Sequence, residues 1–162
     1  MARTWYALHV KPRTEKKTVE WLRHYRIWHY LPVYRKTVKV QRRKVTRELP
    51  LFPGYVFVRM NADERLDMLR TNLLVRTIAV SEPRKMIHQL RQIAHAGKSG
   101  HEMRTMPKFV AGDLVKVKIG PMYGVEGYVL QDSGGSYIVL NVEILGQAVA
   151  VKIPPEDCER IG

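Results

Sequence analysis

Apolar and polar positions in the first half of the chain follow two periods, which predict strands and helices in turn. Residues 5–10 alternate loosely and are rich in strand formers, so they predict a first strand. A helix then begins near Glu15, with apolar residues at near-helical spacing through about Tyr30. Residues 35–47 interleave valines with basic side chains, which predicts a β-hairpin with its tip at residues 41–44.

The segment around which this half is organised is residues 52–58, Phe-Pro-Gly-Tyr-Val-Phe-Val. Its proline and glycine mark the entry to a strand, and its aromatic and β-branched side chains suit a half-buried sheet, so we predict a central strand. Alternation places Tyr55 and Phe57 on one face and Val56 and Val58 on the other. Two interpretations of the paired rings stay open, a packed core and an exposed interface.

Two more helices and a strand complete the first half. Asn61 caps a helix in which Glu64 lies three residues on, a variant of the capping box. Residues 75–80 predict a strand, and a third helix extends from residue 84 to about 96, where Gly97 ends it. The residues expected to face inward are Leu66, Leu69 and Leu73 in the second helix and Ile87, Leu90, Ile93 and Ala94 in the third. This order predicts an α+β fold, an antiparallel sheet flanked by helices.

Beyond residue 96 the pattern changes. Residues 97–107 mix Gly, Ser, Lys, His and Pro with little periodicity, which is typical of a flexible linker. Short alternating segments follow at 113–119, 125–131, 137–144 and 148–153. They predict a small β-barrel, because closing the sheet protects its edges. The predicted parts are therefore a domain at 1–96, the linker at 97–107 and the barrel at 108–162.

Charge separates the two halves further. The 162 residues hold 28 Lys and Arg against 15 Asp and Glu, a net charge of +13. Residues 1–107 carry a net +15 and residues 108–162 a net −2. A strongly basic half is typical of a surface for nucleic-acid phosphates, although a merely solvated face is the alternative interpretation.

The candidate nucleic-acid contacts form two groups. One follows the first strand and continues on the first helix, and the other occupies the hairpin tip. Their members are Lys11, Arg13, Lys16, Lys17 and Arg23 in the first group and Arg42, Arg43 and Lys44 in the second. Trp21, Trp28 and Tyr30 are aromatics that either stack on unpaired bases or pack in the interior.

No residue pattern predicts catalysis. The six histidines lack metal-ligand spacing, and the single cysteine, Cys158, has acidic neighbours that disfavour a reactive thiolate. Gly97-Lys98-Ser99 lacks the earlier glycine that a phosphate-binding loop requires. We expect no enzyme activity, no metal and no cofactor. Without a secretion signal or a membrane-spanning apolar run, we expect a cytoplasmic protein that makes no membrane contact and acts as a monomer.

Three motifs in this order resemble the NusG family of transcription elongation factors. They are Trp5-Tyr6, the Phe-Pro-Gly-Tyr at residues 52–55, and residues 115–129, Val-Lys-Val-Lys-Ile-Gly-Pro-Met-Tyr-Gly-Val-Glu-Gly-Tyr-Val. The last is similar to a KOW motif. The spacing over residues 31–58 resembles the specialised RfaH-like paralogues more than housekeeping NusG.

The resemblance implies an NGN-like first domain that binds the β′ clamp helices of RNA polymerase and the upstream non-template DNA strand, and so suppresses pausing or termination. It also implies that Tyr6, Phe52, Tyr55 and Phe57 form the polymerase-binding patch. Lys11 matches the basic residue that follows the first strand in relatives that contact DNA.

For the second half, the resemblance implies an SH3-like KOW barrel that recruits a partner, Rho or a small-subunit ribosomal protein. Its candidate partner-binding residues are Met122, Tyr123 and Ile144. Residues 113–153 are rich in poor helix formers, so we expect a stable barrel rather than a helical form. The competing function is a ribosome-associated RNA-binding protein, since KOW barrels and basic domains also occur there.

Overall fold

In the computed structural model, which describes residues 2–162, the chain divides into two units, residues 1–81 and Glu82–Gly162. The elements of the first unit are β1 Thr4–Val10, α1 Glu15–His24, β2 Trp28–Tyr30, β3 Val33–Val40, β4 Arg43–Pro50, β5 Tyr55–Met60, α2 Ala62–Arg70 and β6 Leu74–Ala79. Four of its strands form an antiparallel sheet in the order β2-β5-β1-β6. The predicted central position of the Tyr55 strand is confirmed, since β5 lies between β2 and β1.

The hydrophobic core of the first unit lies on one face of this sheet. Val56 and Val58 of β5 pack there in one buried cluster with Leu8 of β1. Leu22 of α1 and Met68 of α2 belong to the same cluster, so both helices cover this face. The predicted alternation placed Val56 and Val58 correctly on one face, because a strand presents alternate residues to opposite faces.

Helix α1 is shorter than predicted. It ends at His24, and the residues expected to continue it form β2. Arg26 has a positive φ of 56°, and the Ile27 N–H donates to the Leu22 carbonyl at 2.9 Å. The Arg26 N–H donates to the Arg23 carbonyl at 3.1 Å. Together these bonds form a Schellman motif, which ends the helix and returns Ile27 to the core beside Leu22.

The predicted hairpin is confirmed as a separate two-stranded sheet of β3 and β4. Its turn is tighter than expected, since only Gln41 and Arg42 lie outside the strands and Val40 pairs with Arg43. Both turn residues have positive φ, 49° and 67°, as a type I′ turn requires. This turn matches the right-handed twist of the strands and sets their register.

Helix α2 begins as predicted but faces differently. The Asn61 side chain accepts from the Glu64 N–H at 2.8 Å, and the Glu64 carboxylate accepts from the Asn61 N–H at 2.9 Å, which confirms the capping box. Leu66 and Leu69 are 48% and 41% exposed, so their predicted inward orientation is wrong. The helix instead buries Met68, from which these leucines lie about 160° and 100° around the axis.

The second unit combines a helix with β structure. Its elements are α3 Pro83–Lys98, β7 Met103–Pro107, β8 Leu114–Val117, β9 Glu126–Asp132, β10 Gly135–Val142, β11 Gln147–Lys152 and β12 Cys158–Arg160. The strands pair antiparallel in the order β12-β8-β9-β10-β11-β7. Four of them coincide with the predicted short strands to within a few residues. The small barrel itself stays a prediction.

The sequence predicted the third helix in the first domain, residues 1–96, but the structure places α3 in the second unit. The helix buries Met86, Leu90 and Ile93, and it groups with the β strands of the second unit rather than with the first 81 residues. It also continues through Gly97 to Lys98. The second part of the predicted linker is not irregular, because Met103–Pro107 pairs with β11 as an edge strand.

Candidate functional site

The strand register places three of the four predicted polymerase-binding residues, and it divides them between opposite faces of the sheet. Tyr6 pairs with Val58, and Ala7 pairs with Phe57. Directly paired residues share a face, so Tyr6 lies on the helix-covered face and packs against the core, whereas Tyr55 and Phe57 lie on the other. The prediction that Tyr6 joins the other rings in one patch is therefore wrong.

Burial also corrects the expected exposed patch. Phe57 is 0% exposed and Phe52 1%, so neither ring is available at the surface of this structure. Tyr55 is half-buried and stacks on the His9 ring, with centroids 4.9 Å apart and planes 15° apart. The core-packing interpretation applies to the two phenylalanines, and Tyr55 alone of the β5 rings keeps an accessible part.

The same sheet face presents two tryptophans that sequence reasoning did not join. Trp28 of β2 is 48% exposed and meets the half-buried Trp5 of β1 edge to face, with centroids 4.7 Å apart. The Arg59 guanidinium lies 5.6 Å from the centre of the Trp5 ring. Trp5 and Arg59 are opposite each other in the register, as are Trp28 and Arg59. The alternation of residues along β1 could have predicted the position of Trp5, because it places Trp5 on the same face of the sheet as Phe57.

The first group of predicted cations gathers where β1 passes into α1. Lys11 Nζ donates to Asn72 Oδ1 at 2.8 Å, which ties the first loop to the one before β6. Arg13 has a positive φ of 62°, and its side chain is exposed, as are Lys16 and Lys17. Arg23 lies seven residues after Lys16 on the same flank of α1, while Lys17 is about 100° away. Helical geometry thus splits this group between two flanks.

A cavity of 720 Å³ links this cluster to the base of the hairpin. Its lining includes Arg13 and Lys16, together with Pro50 and Pro53 from the segment at the end of β4 and the turn after it. Its remaining walls come mainly from β1, Gly54 and Val75. Residues about forty positions apart in sequence therefore line the same cavity, together with two basic residues.

Glu15 is the residue here that sequence reasoning missed. The sequence places it only near the start of a helix, yet it is 8% exposed and accepts from the Gly54 N–H at 3.0 Å. Gly54 has a φ of 89°, a conformation that glycine adopts readily. The bond anchors the start of α1 to the entry of the central strand, and no local signal identifies a partner so distant in sequence.

In the second unit, one predicted partner-binding residue is placed incorrectly. Met122 is 0% exposed and belongs to the interior, whereas Tyr123 is 64% exposed. Ile144 is half-buried in the short 3-10 turn Glu143–Leu145. Ile119, which was not predicted, is 55% exposed and precedes the same turn as Tyr123. Adjacent residues in a tight turn point in different directions, so Tyr123 rather than Met122 is available to a partner.

Side-chain contacts fasten α3 to the strands of the second unit. The Gln92 amide donates to the Glu126 carbonyl at 3.0 Å and accepts from the Glu126 N–H at 2.8 Å. Gln89 accepts from the Glu143 N–H at 3.1 Å. Lys85 forms an ion pair with Glu143, which lowers the pKa of that carboxyl and raises the pKa of Lys85.

The titratable groups with a shifted pKa in residues 2–162 include the thiol of Cys158. Burial, with a smaller contribution from Asp157, raises the pKa of the Cys158 thiol, which disfavours the thiolate form. No group of three or more potential metal ligands occurs among the described residues. Within that same range, no helix has the length and apolar character to cross a membrane.

The fold and these surfaces define a two-unit α+β protein, with a basic first unit and a second unit of mostly antiparallel strands. Residues 3–108 match the family model described as transcription termination factor nusG, and the chain belongs to this family. It is thus a transcription factor of the termination and elongation kind. The match includes the whole sheet and hairpin of the first unit, α3 and β7. A search of curated proteins found no match to the chain.

Proposed function

We propose that this protein is a non-catalytic elongation or antitermination factor. It binds the clamp of RNA polymerase and the upstream non-template DNA strand, suppresses pausing or termination, and recruits a partner through its second unit. The observation that carries the proposal is the family match over residues 3–108, which contains every helix and strand of the basic first unit. RfaH-like specialisation and a KOW barrel belong to the same proposal.

For the polymerase contact, the best-supported surface is the sheet face opposite α1 and α2. Trp28 and Tyr55 keep exposed or half-buried rings there, and Trp5 lies against Trp28. Large aromatic side chains on a fixed sheet contribute much contact area at low conformational cost. The buried Phe52 and Phe57 support this face from within rather than contact the polymerase.

For the non-template strand, the proposed path begins at the loop after β1. Arg13 and Lys16 flank the 720 Å³ cavity, and Lys11 is held beside it by Asn72. These cations neutralise phosphates of the strand, while the cavity, whose lining includes Pro12, Pro50 and Pro53, accepts apolar parts of an unpaired nucleotide. Of the predicted first group of cations, Arg13 and Lys16 line the cavity, whereas Lys17 and Arg23 lie outside its lining.

The test is transcription in vitro with purified RNA polymerase, with and without the protein. We expect shorter pause lifetimes and increased terminator read-through. Lys11→Gln with Arg13→Gln should reduce the effect, and Lys116→Gln with Lys118→Gln in the second unit serves as the matched control. Unchanged pausing and read-through across promoters and terminators would contradict the proposed function.

A pull-down distinguishes this function from ribosome association. The wild-type chain should retain RNA polymerase, and Trp28→Ala with Tyr55→Ala should lose it. Tyr123→Ala is the control, because it removes an exposed aromatic ring of the second unit. Retention of ribosomal subunits in place of polymerase would favour the RNA-binding alternative.

A further inference from the structure

The β3–β4 hairpin is a self-contained ribbon. Its strands pair only with each other, through eight cross-strand pairs from Val33–Pro50 to Val40–Arg43. At about 3.3 Å per residue the ribbon is about 26 Å long. Every side chain from Lys39 to Glu48 is exposed, so packing against the rest of the unit does not explain its composition.

The charges on this ribbon oppose its own folding. Lys36 pairs directly with Arg47, and Lys39 pairs with Lys44. Like charges at such positions destabilise a hairpin. The ribbon has seven basic residues and one acid, and within residues 2–162 none of the seven forms an ion pair. Binding of an anionic partner relieves this repulsion.

The two faces of the ribbon differ in a way that limits the kind of partner. One face carries the pairs Lys36–Arg47, Val38–Val45 and Val40–Arg43, and the other carries Thr37–Thr46 and Lys39–Lys44. Val40 and Val45 are 38% and 37% exposed. Cations therefore occur on both faces and at the tip, while a short apolar ladder runs along one face only.

A single strand is a poor fit to this surface, because no aromatic residue between positions 35 and 48 is available to stack on bases. The major groove of B-DNA admits a two-stranded β-ribbon, whereas the major groove of duplex RNA is too deep and narrow. Cations on both faces and at the tip then reach the phosphates that border the groove. The valines supply apolar contacts to base edges such as the thymine methyl.

We propose that the β3–β4 ribbon binds double-stranded DNA in the major groove, with its valine face toward the bases. The proposal rests on the proposed function, since it adds a duplex contact to a protein already placed on transcribed DNA. It assigns the ribbon and the α1 cluster to different forms of DNA, duplex and single strand. It also assigns phosphate contacts to Lys36, Lys39 and Arg47, and contacts with base edges to the valines.

The experiment compares the full chain on duplex DNA, single-stranded DNA and duplex RNA of equal length. One variant replaces Lys36, Lys39, Lys44 and Arg47 by Gln, and a matched variant removes four charges at Lys11, Arg13, Lys16 and Lys17. The ribbon variant should lose duplex affinity on the order of a hundredfold, with a salt slope shallower by about 3 to 4. Its single-strand affinity should change little, while the α1 variant should show the converse.

The valine face has its own test. Val38→Thr with Val45→Thr keeps β-branched residues and all charges, so the ribbon should stay folded by circular dichroism. Duplex affinity should fall several-fold with an unchanged salt slope, because the lost contacts are apolar. Thr37→Val with Thr46→Val on the other face is the control and should not weaken duplex binding.

Three results would overturn the groove proposal. They are equal losses on duplex and single-stranded DNA for the ribbon variant, equal affinity of the wild type for duplex RNA, and no effect of the valine substitutions. Failure of the proposed function gives a different pattern, in which duplex binding follows these expectations but purified polymerase shows no change in pausing.

Discussion

The two units use their charged residues differently. Residues 1–81 contain 18 Lys and Arg and 6 acids, and only Arg3 and Arg70 of these cations lie within 4 Å of a carboxylate in residues 2–81. Residues 82–162 contain 10 Lys and Arg and 9 acids, and half of those cations form ion pairs. The paired cations are Lys85, Arg104, Lys108, Lys152 and Arg160. Charge in the second unit is largely balanced internally, whereas most cations among the described residues of the first have no carboxylate within 4 Å.

The overall net charge of +13 does not distinguish cations that are paired with a carboxylate from cations that are not. A cation already paired with a carboxylate has less attraction for a phosphate, since the pair is close to neutral. An unpaired cation releases condensed counterions when it meets nucleic acid. The distribution of ion pairs therefore distinguishes the two units better than the count of basic residues does.

The largest expected effect is on nucleic-acid affinity. Replacing Arg104, Lys108, Lys152 and Arg160 by Gln removes four charges from the second unit. Duplex-DNA affinity should fall less than tenfold, against the roughly hundredfold loss expected for four ribbon charges, because these cations are already paired. Fluorescence anisotropy over a salt series measures both the affinity and the slope. Equal losses for the two four-charge variants would contradict the comparison.

The next effect concerns the attachment of α3 to the second unit. Gln92→Ala removes both hydrogen bonds to the Glu126 main chain, which should lower the free energy of unfolding by about 1–2 kcal/mol. Arg91→Ala, at an exposed neighbouring site, is the control and should change stability little. Urea denaturation measures the difference. If both variants unfold alike, the amide contact does not hold the helix.

A smaller effect is expected at the start of α2 in the first unit. Asn61→Ala deletes the capping box and should cost about 1 kcal/mol, within the range measured for such caps. Asn61→Asp keeps an acceptor for the Glu64 N–H and should retain most of the stability. Thermal unfolding followed by circular dichroism compares the two. A loss of equal size in Asn61→Asp would argue that the cap is not the cause.

The smallest effect is a pH dependence confined to the second unit. The hydrogen bond from Lys85, together with Lys108, holds the pKa of Glu143 below its usual value of 4.5. A carboxyl with a lowered pKa stabilises the fold above its usual pKa and loses that contribution as pH falls through the lowered value. Stability should therefore decline below about pH 4.5, and Glu143→Gln should weaken the decline. Glu159→Gln is the control, since Glu159 forms no ion pair within residues 2–162.

Predictions from the sequence were accurate where the signal was local. The Asn61 cap, the hairpin and the Tyr55 strand depend on residues a few positions apart, and the structure confirms each. The extent of α1 was not predicted, because Arg26 rather than a glycine adopts the left-handed conformation that ends it. Basic residues are uncommon in that role, so the usual stop signal was missing.

The candidate site was predicted less well than the fold. The four aromatic residues of the expected patch come from two motifs, and strand register puts Tyr6 on the face opposite Tyr55 and Phe57. Tertiary packing buries Phe52 and Phe57. Met122 is buried beside an exposed Tyr123 for a similar reason. Residue type indicates that a ring lies in a sheet or a turn, whereas its exposure depends on what covers it.

The amino-acid sequence alone determined the alternation of helices and strands, the basic first half, the caps and turns, and membership of a transcription-factor family, because each follows from short-range pattern or composition. Only the tertiary structure decided which aromatic rings stay accessible and which cations lack carboxylate partners. It also decided that Glu15 binds the Gly54 N–H and that α3 belongs to the second unit. Those properties arise between residues far apart in the chain, and local propensities carry no information about such contacts.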